Sequence, residues 1–163
     1  MVHADTIRKV LHSVLHGSIH DGGQEVSFAY GQLVATAAST VVISASDTLV
    51  KFTGFNTDGL SRDTVPDHTS DHITISKAGI YLVTFTATAN DLGGFGEPVL
   101  QVARDNLAVS YGTYELIANN NSASMTAILD LPANSDLELG VLNRGSTSNI
   151  NVAKATLTVL QIA

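Results

Sequence analysis

Cysteine and tryptophan are both absent from this sequence. Without cysteine no disulfide can staple the chain and no thiolate can ligate zinc or an iron–sulfur cluster, so buried side chains and backbone hydrogen bonds must hold it. Charge is scarce as well, at 14% of residues against an average near 25%. Only 8 residues are Lys or Arg against 15 Asp and Glu, a net charge of -7. That balance, with no basic stripe, excludes general binding to a phosphate backbone, and no nucleic-acid partner is expected. No apolar run approaches the ~18 residues of a transmembrane helix, so no membrane partner is expected either. The first residues, Met1-Val2-His3-Ala4-Asp5, have no basic start leading into an apolar secretory core, and synthesis in the cytoplasm is the expectation.

What the chain does have is apolar content: 44% hydrophobic residues and a mean hydropathy of +0.21. At 17.0 kDa it fits one domain with a short extension, burying roughly two-thirds of its unfolded surface. So few charges on so apolar a chain imply that part of the folded surface is covered in an oligomer.

The pattern is mostly that of short strands. Ile80 to Ala89 alternates, with Tyr81, Val83, Phe85, Ala87 and Ala89 on one side and Ile80, Leu82, Thr84, Thr86 and Thr88 on the other. Ile150 to Ile162 ends with Leu157 and Val159 on one side and Leu160 and Ile162 on the other. Both strands are apolar on two faces at one end, so each needs a second cover, and a sister subunit is the expected one. Between and around them lie His72 to Ser76, Val99 to Arg104, Leu107 to Leu116, Met125 to Leu131 and Leu137 to Val141, separated by turn signals such as Arg104-Asp105-Asn106 and Asn119 to Ser122. Earlier, Glu25–Tyr30, Leu33–Thr36, Thr40–Ser44 and Thr48–Phe55 are β-prone, and Asn56 to Ser70 has the composition of a long polar loop.

One helix is predicted, from Ala4 to His16. Ile7, Val10, Leu11, Val14 and Leu15 share a stripe, Asp5 or Thr6 can cap it, and Gly17 stops it. A helix of about three turns is marginal alone, so its stripe must dock on the body, on sister chains or on a larger assembly. His12, His16 and His20 recur every fourth residue, but Gly17 interrupts them and no third ligand is placed for a zinc hydrolase. The run Asp67-His68-Thr69-Ser70-Asp71-His72 lacks the spaced carboxylates of a calcium loop. No metal site and no cofactor are expected.

Ile73-Thr74-Ile75, the turn Lys77-Ala78-Gly79 and then Gly79-Ile80-Tyr81 leading into alternation resemble the central strands of C1q and tumour-necrosis-factor-like jelly-roll domains. Ile128 to Leu139, two strands around Pro132-Ala133-Asn134-Ser135, and the closing Ala155 to Ile162 are similar to later strands of the same family. The resemblance implies an all-β, C1q/TNF-like jelly-roll β-sandwich with a short N-terminal helix, trimeric, in which the two long strands face the threefold axis. The trimer or core residues would be Ile80, Tyr81, Leu82, Val83, Phe85, Leu157, Val159 and Leu160. Residues 1–45 are assigned to a helix and attachment arm and 46–163 to the jelly roll. No collagen-like stalk and no aromatic-rich final strand are present, which points to a bacteriophage or bacterial member.

Catalysis is not expected: there is no Cys, no Gly-x-Ser-x-Gly, and no His in an apolar strand beside an acid. The expected function is structural, a homotrimeric capsid decoration or head-fibre protein of a virion. It would hold a capsid or other virion protein through residues 1–45, with Ile7, Val10, Leu11, Val14 and Leu15 as the anchoring stripe. The alternative is a receptor- or glycan-binding head of a tail fibre or bacterial surface protein, using loops such as Asp91–Glu97 and Asn143–Asn149.

Overall fold

The computed structural model describes residues 18–21, 24–91, 96–115 and 121–163. The helix expected over Ala4–His16, with Ile7, Val10, Leu11, Val14 and Leu15, lies outside the described residues, as do His12, His16 and the centre of the Asp91–Glu97 loop. Among the described residues fourteen strands follow in chain order: β1 Ser18–Asp21, β2 Gln24–Ser27, β3 Tyr30–Ala35, β4 Ser39–Val41, β5 Val50–Lys51, β6 Thr57–Asp58, β7 Thr64–Asp67, β8 His72–Ile75, β9 Gly79–Asp91, β10 Glu97–Arg104, β11 Leu107–Glu115, β12 Asn121–Leu131, β13 Ser135–Arg144 and β14 Ile150–Gln161. β1 and β2 form a separate two-stranded ribbon, in which His20 stands opposite Glu25. His20 therefore sits on a strand and does not extend a helical histidine face.

The other strands make two antiparallel sheets. One runs β12-β9-β14-β3-β6 with β4 beside β14; the other runs β11-β10-β13-β8-β7 with β5 beside β13. Each inner face is the apolar half of a period-two pattern. Tyr81, Val83, Phe85, Leu157, Val159 and Leu33 from the first sheet meet Ile73, Leu100, Leu137, Leu139 and Val141 from the second, all fully buried. Phe52 and Phe55 close one side of the core edge to face, with ring centroids 5.1 Å apart.

Turn chemistry matches the backbone where it is demanding. The β10–β11 hairpin turns on Asp105 and Asn106, with φ of 52° and 64°, as a two-residue turn with two left-handed positions requires. Asn134, between β12 and β13, has φ 63°.

Three expectations need correction. The segment assigned to an arm up to residue 45 enters the body from Ala29 onward: β3 and β4 pair with β14, and Ala29, Leu33, Ala35, Val41 and Ile43 are core. These pieces look weak in sequence because their partners lie over a hundred residues away. The polar loop 56–70 contains two strands, β6 and β7; both are edge strands, so one side faces water and Asp, Thr and Pro are tolerated. The strand expected over Thr48–Phe55 is only Val50–Lys51, held to β13 by Lys51 Nζ at 2.7 Å from Glu138 Oε1. The other oxygen of that buried carboxylate accepts the Asn106 N–H at 3.0 Å, so its charge is paired and hydrogen-bonded.

Among the described residues, β10 and β13 are buried on both faces. Leu49 lies over Gly140 on the outward side of β13, where an added methyl would overlap it. The outward residues of β9 and β14 are half-buried or exposed among the described residues.

The inward and outward residues of β9 should separate in stability. Phe85→Ala is expected to cost about 3–5 kcal/mol, whereas Thr84→Ala, pointing the other way, should cost under about 1 kcal/mol. Urea denaturation checks this; comparable losses would contradict the assigned faces.

Candidate functional site

The outward face of the β12-β9-β14-β3 sheet is built by register. Ile128 stands opposite Leu82, Leu82 opposite Leu160, and Leu160 opposite Tyr30, so four apolar side chains line up across four strands. At the adjoining end, Ile80 is zipped to the C-terminus by Ile162 N–H to Ile80 O at 2.8 Å and Ile80 N–H to Ala163 O at 2.8 Å, which sets Ile162 beside Ile80. Ile128 is 63% exposed, Ile162 43%, Leu160 41% and Tyr30 37%. Leu82 and Ile80 between them are half-buried, so among the described residues nothing fully covers this end of the sheet.

Toward the other end the face turns to hydroxyls. Thr126, Thr84, Thr158 and Gln32 form the next row, then Ser124, Thr86, Thr156 and Val34, then Ser122, Thr88 and Lys154. Thr84 and Thr126 share a hydrogen bond at 3.2 Å, as do Thr88 and Ser122 at 3.2 Å. A β-bulge in β14 between Val152 and Lys154 brings Lys154 into the last of these rows. Before it Ile150 and Val152 point inward; after it Ala155, Leu157 and Val159 do. The extra residue resets the alternation and turns Lys154 outward.

The sequence-derived set thus divides. Tyr81, Val83, Phe85, Leu157 and Val159 are core, and Tyr81 is fixed further by donating its hydroxyl to Lys77 O at 2.6 Å. Ile80, Leu82 and Leu160 face outward. Ile128, Tyr30 and Lys154 belong to the same face and were not singled out from the sequence. The signal for the hydroxyl rows was present in the period-two runs Ser122-x-Ser124-x-Thr126, Thr84-x-Thr86-x-Thr88 and Thr156-x-Thr158.

The acidic, histidine-containing run is spent on structure. Asp67 accepts from Thr69 N–H and Thr69 Oγ1 at 2.9 and 2.6 Å and from Ser70 N–H at 3.2 Å; the Thr69 and Ser70 bonds hold its carboxyl well below the usual range. His68 is clamped by Asp58, ring Nδ1 at 2.9 Å and backbone N–H at 2.7 Å, which ties β6 to the β7–β8 turn. His72 Nε2 lies 3.7 Å from Asp136 Oδ1. Asp71, buried with φ 55°, accepts the Phe55 N–H at 2.9 Å. Burial pushes its carboxyl above the ordinary value, against the lowering effect of that bond. Among the described residues no cluster of three metal-ligating side chains forms, and no helix is long and apolar enough to cross a membrane.

No family model matches the sequence, and no curated protein matches it. Solved structures do. The Eiger TNF of S. frugiperda is similar at 16% identity and TM-score 0.53, covering 83% of this chain and 92% of its own. The globular domain of zebrafish complement 1qA is similar at 15% identity and TM-score 0.53, covering 83% and 98%. The PRD1 vertex protein P5 is similar at 14% identity and TM-score 0.50, covering 83% and 97%. The fold is the C1q/TNF-like jelly roll. In this jelly roll the chain's last strand lies at the middle of one sheet, between β9 and β3, and the mixed apolar and hydroxyl face is the outer face of that sheet.

Asp71 gives the site's surroundings a testable pH response. Its folded pKa is raised, so its contribution to stability is full below the unfolded value near 3.8 and declines as pH rises through the folded value. Asp71→Asn keeps an acceptor for Phe55 N–H and tolerates the left-handed backbone. The variant should melt above the wild type at pH 7, with the gap closing toward pH 3.5; a gap independent of pH would contradict the burial.

Proposed function

We propose that this jelly roll is a homotrimeric, non-enzymatic structural protein of a virion, a capsid decoration or head-fibre protein, whose copies meet through the outward face of the β12-β9-β14-β3 sheet. The observation that carries the reading is the apolar row Ile128-Leu82-Leu160-Tyr30, extended by Ile80 and Ile162, of which the described residues of a single chain leave Ile128, Leu160, Tyr30 and Ile162 exposed and Leu82 and Ile80 half-buried. A contiguous apolar strip of this kind is the mark of an association surface. Completing the burial of such part-exposed side chains is worth on the order of 1 kcal/mol each. Summed over three copies, that is comparable with the freedom lost on association, so the flat threonine rows must also take part in the contact.

The virion assignment is supported by the likeness to a vertex protein, PRD1 P5, and by a described surface that offers no catalytic constellation. Asp58 and His68 form an acid–imidazole pair, but it is half exposed and its bonds fasten two loops. Attachment is assigned to the segment ahead of Ala29, with the stripe Ile7, Val10, Leu11, Val14 and Leu15 against a capsid or other virion protein. Localisation in the virion follows from that assignment.

Two outcomes are expected. Leu82→Ser with Leu160→Ser should yield folded single chains, read by sedimentation and circular dichroism; an unchanged assembly would remove this face from the contact. Particles made with a chain lacking residues 1–20 should lose the protein, and full occupancy, read by quantitative electrophoresis, would remove the anchoring role.

A further inference from the structure

The hydroxyl end of the same face holds one cation without a counter-charge. Lys154 is exposed at the β14 bulge, and none of the ion pairs among the described residues includes it. Beside it lies an open groove of about 370 Å³, floored by the short side chains of Thr86, Thr88, Ser122, Ser124 and Thr156. The groove exists because three adjacent strands carry only hydroxyl side chains there, one step from a long lysine. Ser122, Thr88 and Lys154 stand directly opposite one another across those strands, roughly 4.8 Å apart strand to strand.

We infer that this groove binds a small inorganic oxyanion, phosphate or sulfate, held by the Lys154 ammonium and by hydroxyl hydrogens of Thr88, Ser122 and Thr156. Each hydroxyl has one hydrogen to donate. The Thr88–Ser122 bond uses one of the two, leaving the other for a ligand. An oxyanion presents several acceptors at once to donors spaced this way, which chloride cannot, and a charged partner makes each bond stronger. The acidic residue described on this face, Asp130, is at the opposite end of β12, beside Ile80. A sister copy presenting the same face brings another lysine and, among the described side chains, no carboxylate at this end. The inference rests on the copy-to-copy reading in this respect: burying Lys154 between copies without an anion would leave an uncompensated charge out of water.

The test compares the full-length wild type with Lys154→Gln and Lys154→Arg. Thermal melts are run in sodium phosphate and in sodium chloride at matched pH and ionic strength, with mass measured by sedimentation in the same buffers. Phosphate also stabilises proteins by exclusion from their surface, so the difference between variants is the readout. The wild type should gain about 2–4 °C more from phosphate than Lys154→Gln does, and Lys154→Arg should keep most of that gain. Equal gains in wild type and Lys154→Gln, or none in either, overturn the anion site. A lysine-dependent gain in a species of one chain keeps the site and removes the copy-to-copy reading; an assembled species with no lysine-dependent gain does the reverse.

Discussion

The antiparallel pairing of β9 with β14 is the constraint from which the rest of the molecule follows. Once Leu157 is set against Phe85 and Val159 against Val83, period-two alternation sends those side chains inward and sends Leu82 and Leu160 outward together. β12 and β3 extend the same register, so Ile128 and Tyr30 join the outward row with no further choice. A slip of one residue would move Phe85 and Leu157 into water and bring threonines into the core. The inward packing therefore enforces the outward face, and the apolar row cannot be removed by re-registering the strands.

The β14 bulge is the second determinant. Continuing strict alternation from Ile150 would aim Leu157 and Val159 outward. One extra residue at Ala153 reconciles two apolar runs of opposite parity, Ile150 and Val152 before it and Ala155 to Val159 after it. Lys154 owes its outward position to that correction, and with it the sheet face acquires its cation.

How much of this was legible in the sequence depended on distance along the chain and on exposure. The alternation of β9, β12 and β14 was legible because one half of each strand is strongly apolar, and the Asp105-Asn106 turn because few residues accept two left-handed positions. β6 and β7 were hidden, since edge strands with a wet side have the composition of loops. β3 and β4 looked like an arm because their partner β14 lies at the far end of the chain. The two-sided burial of β10 and β13 was missed because Gln101, Glu138 and Gly140 interrupt their apolar pattern, although Glu138 is buried with its charge met by Lys51. Of the candidate site, Ile80, Leu82 and Leu160 could be named from sequence. Ile128, Tyr30 and Lys154 could not, since only the strand pairing brings them to the same face.

Asp58, Asp67, Asp71, His68 and Glu138 each hold a loop or a strand end, and what remains available on this sheet is a broad face of methyls and hydroxyls. Whether this face is where copies meet is tested most directly by the mass of the unmodified chain in solution. Light scattering at micromolar concentration should give about three times 17.0 kDa; a stable species of 17.0 kDa would contradict it.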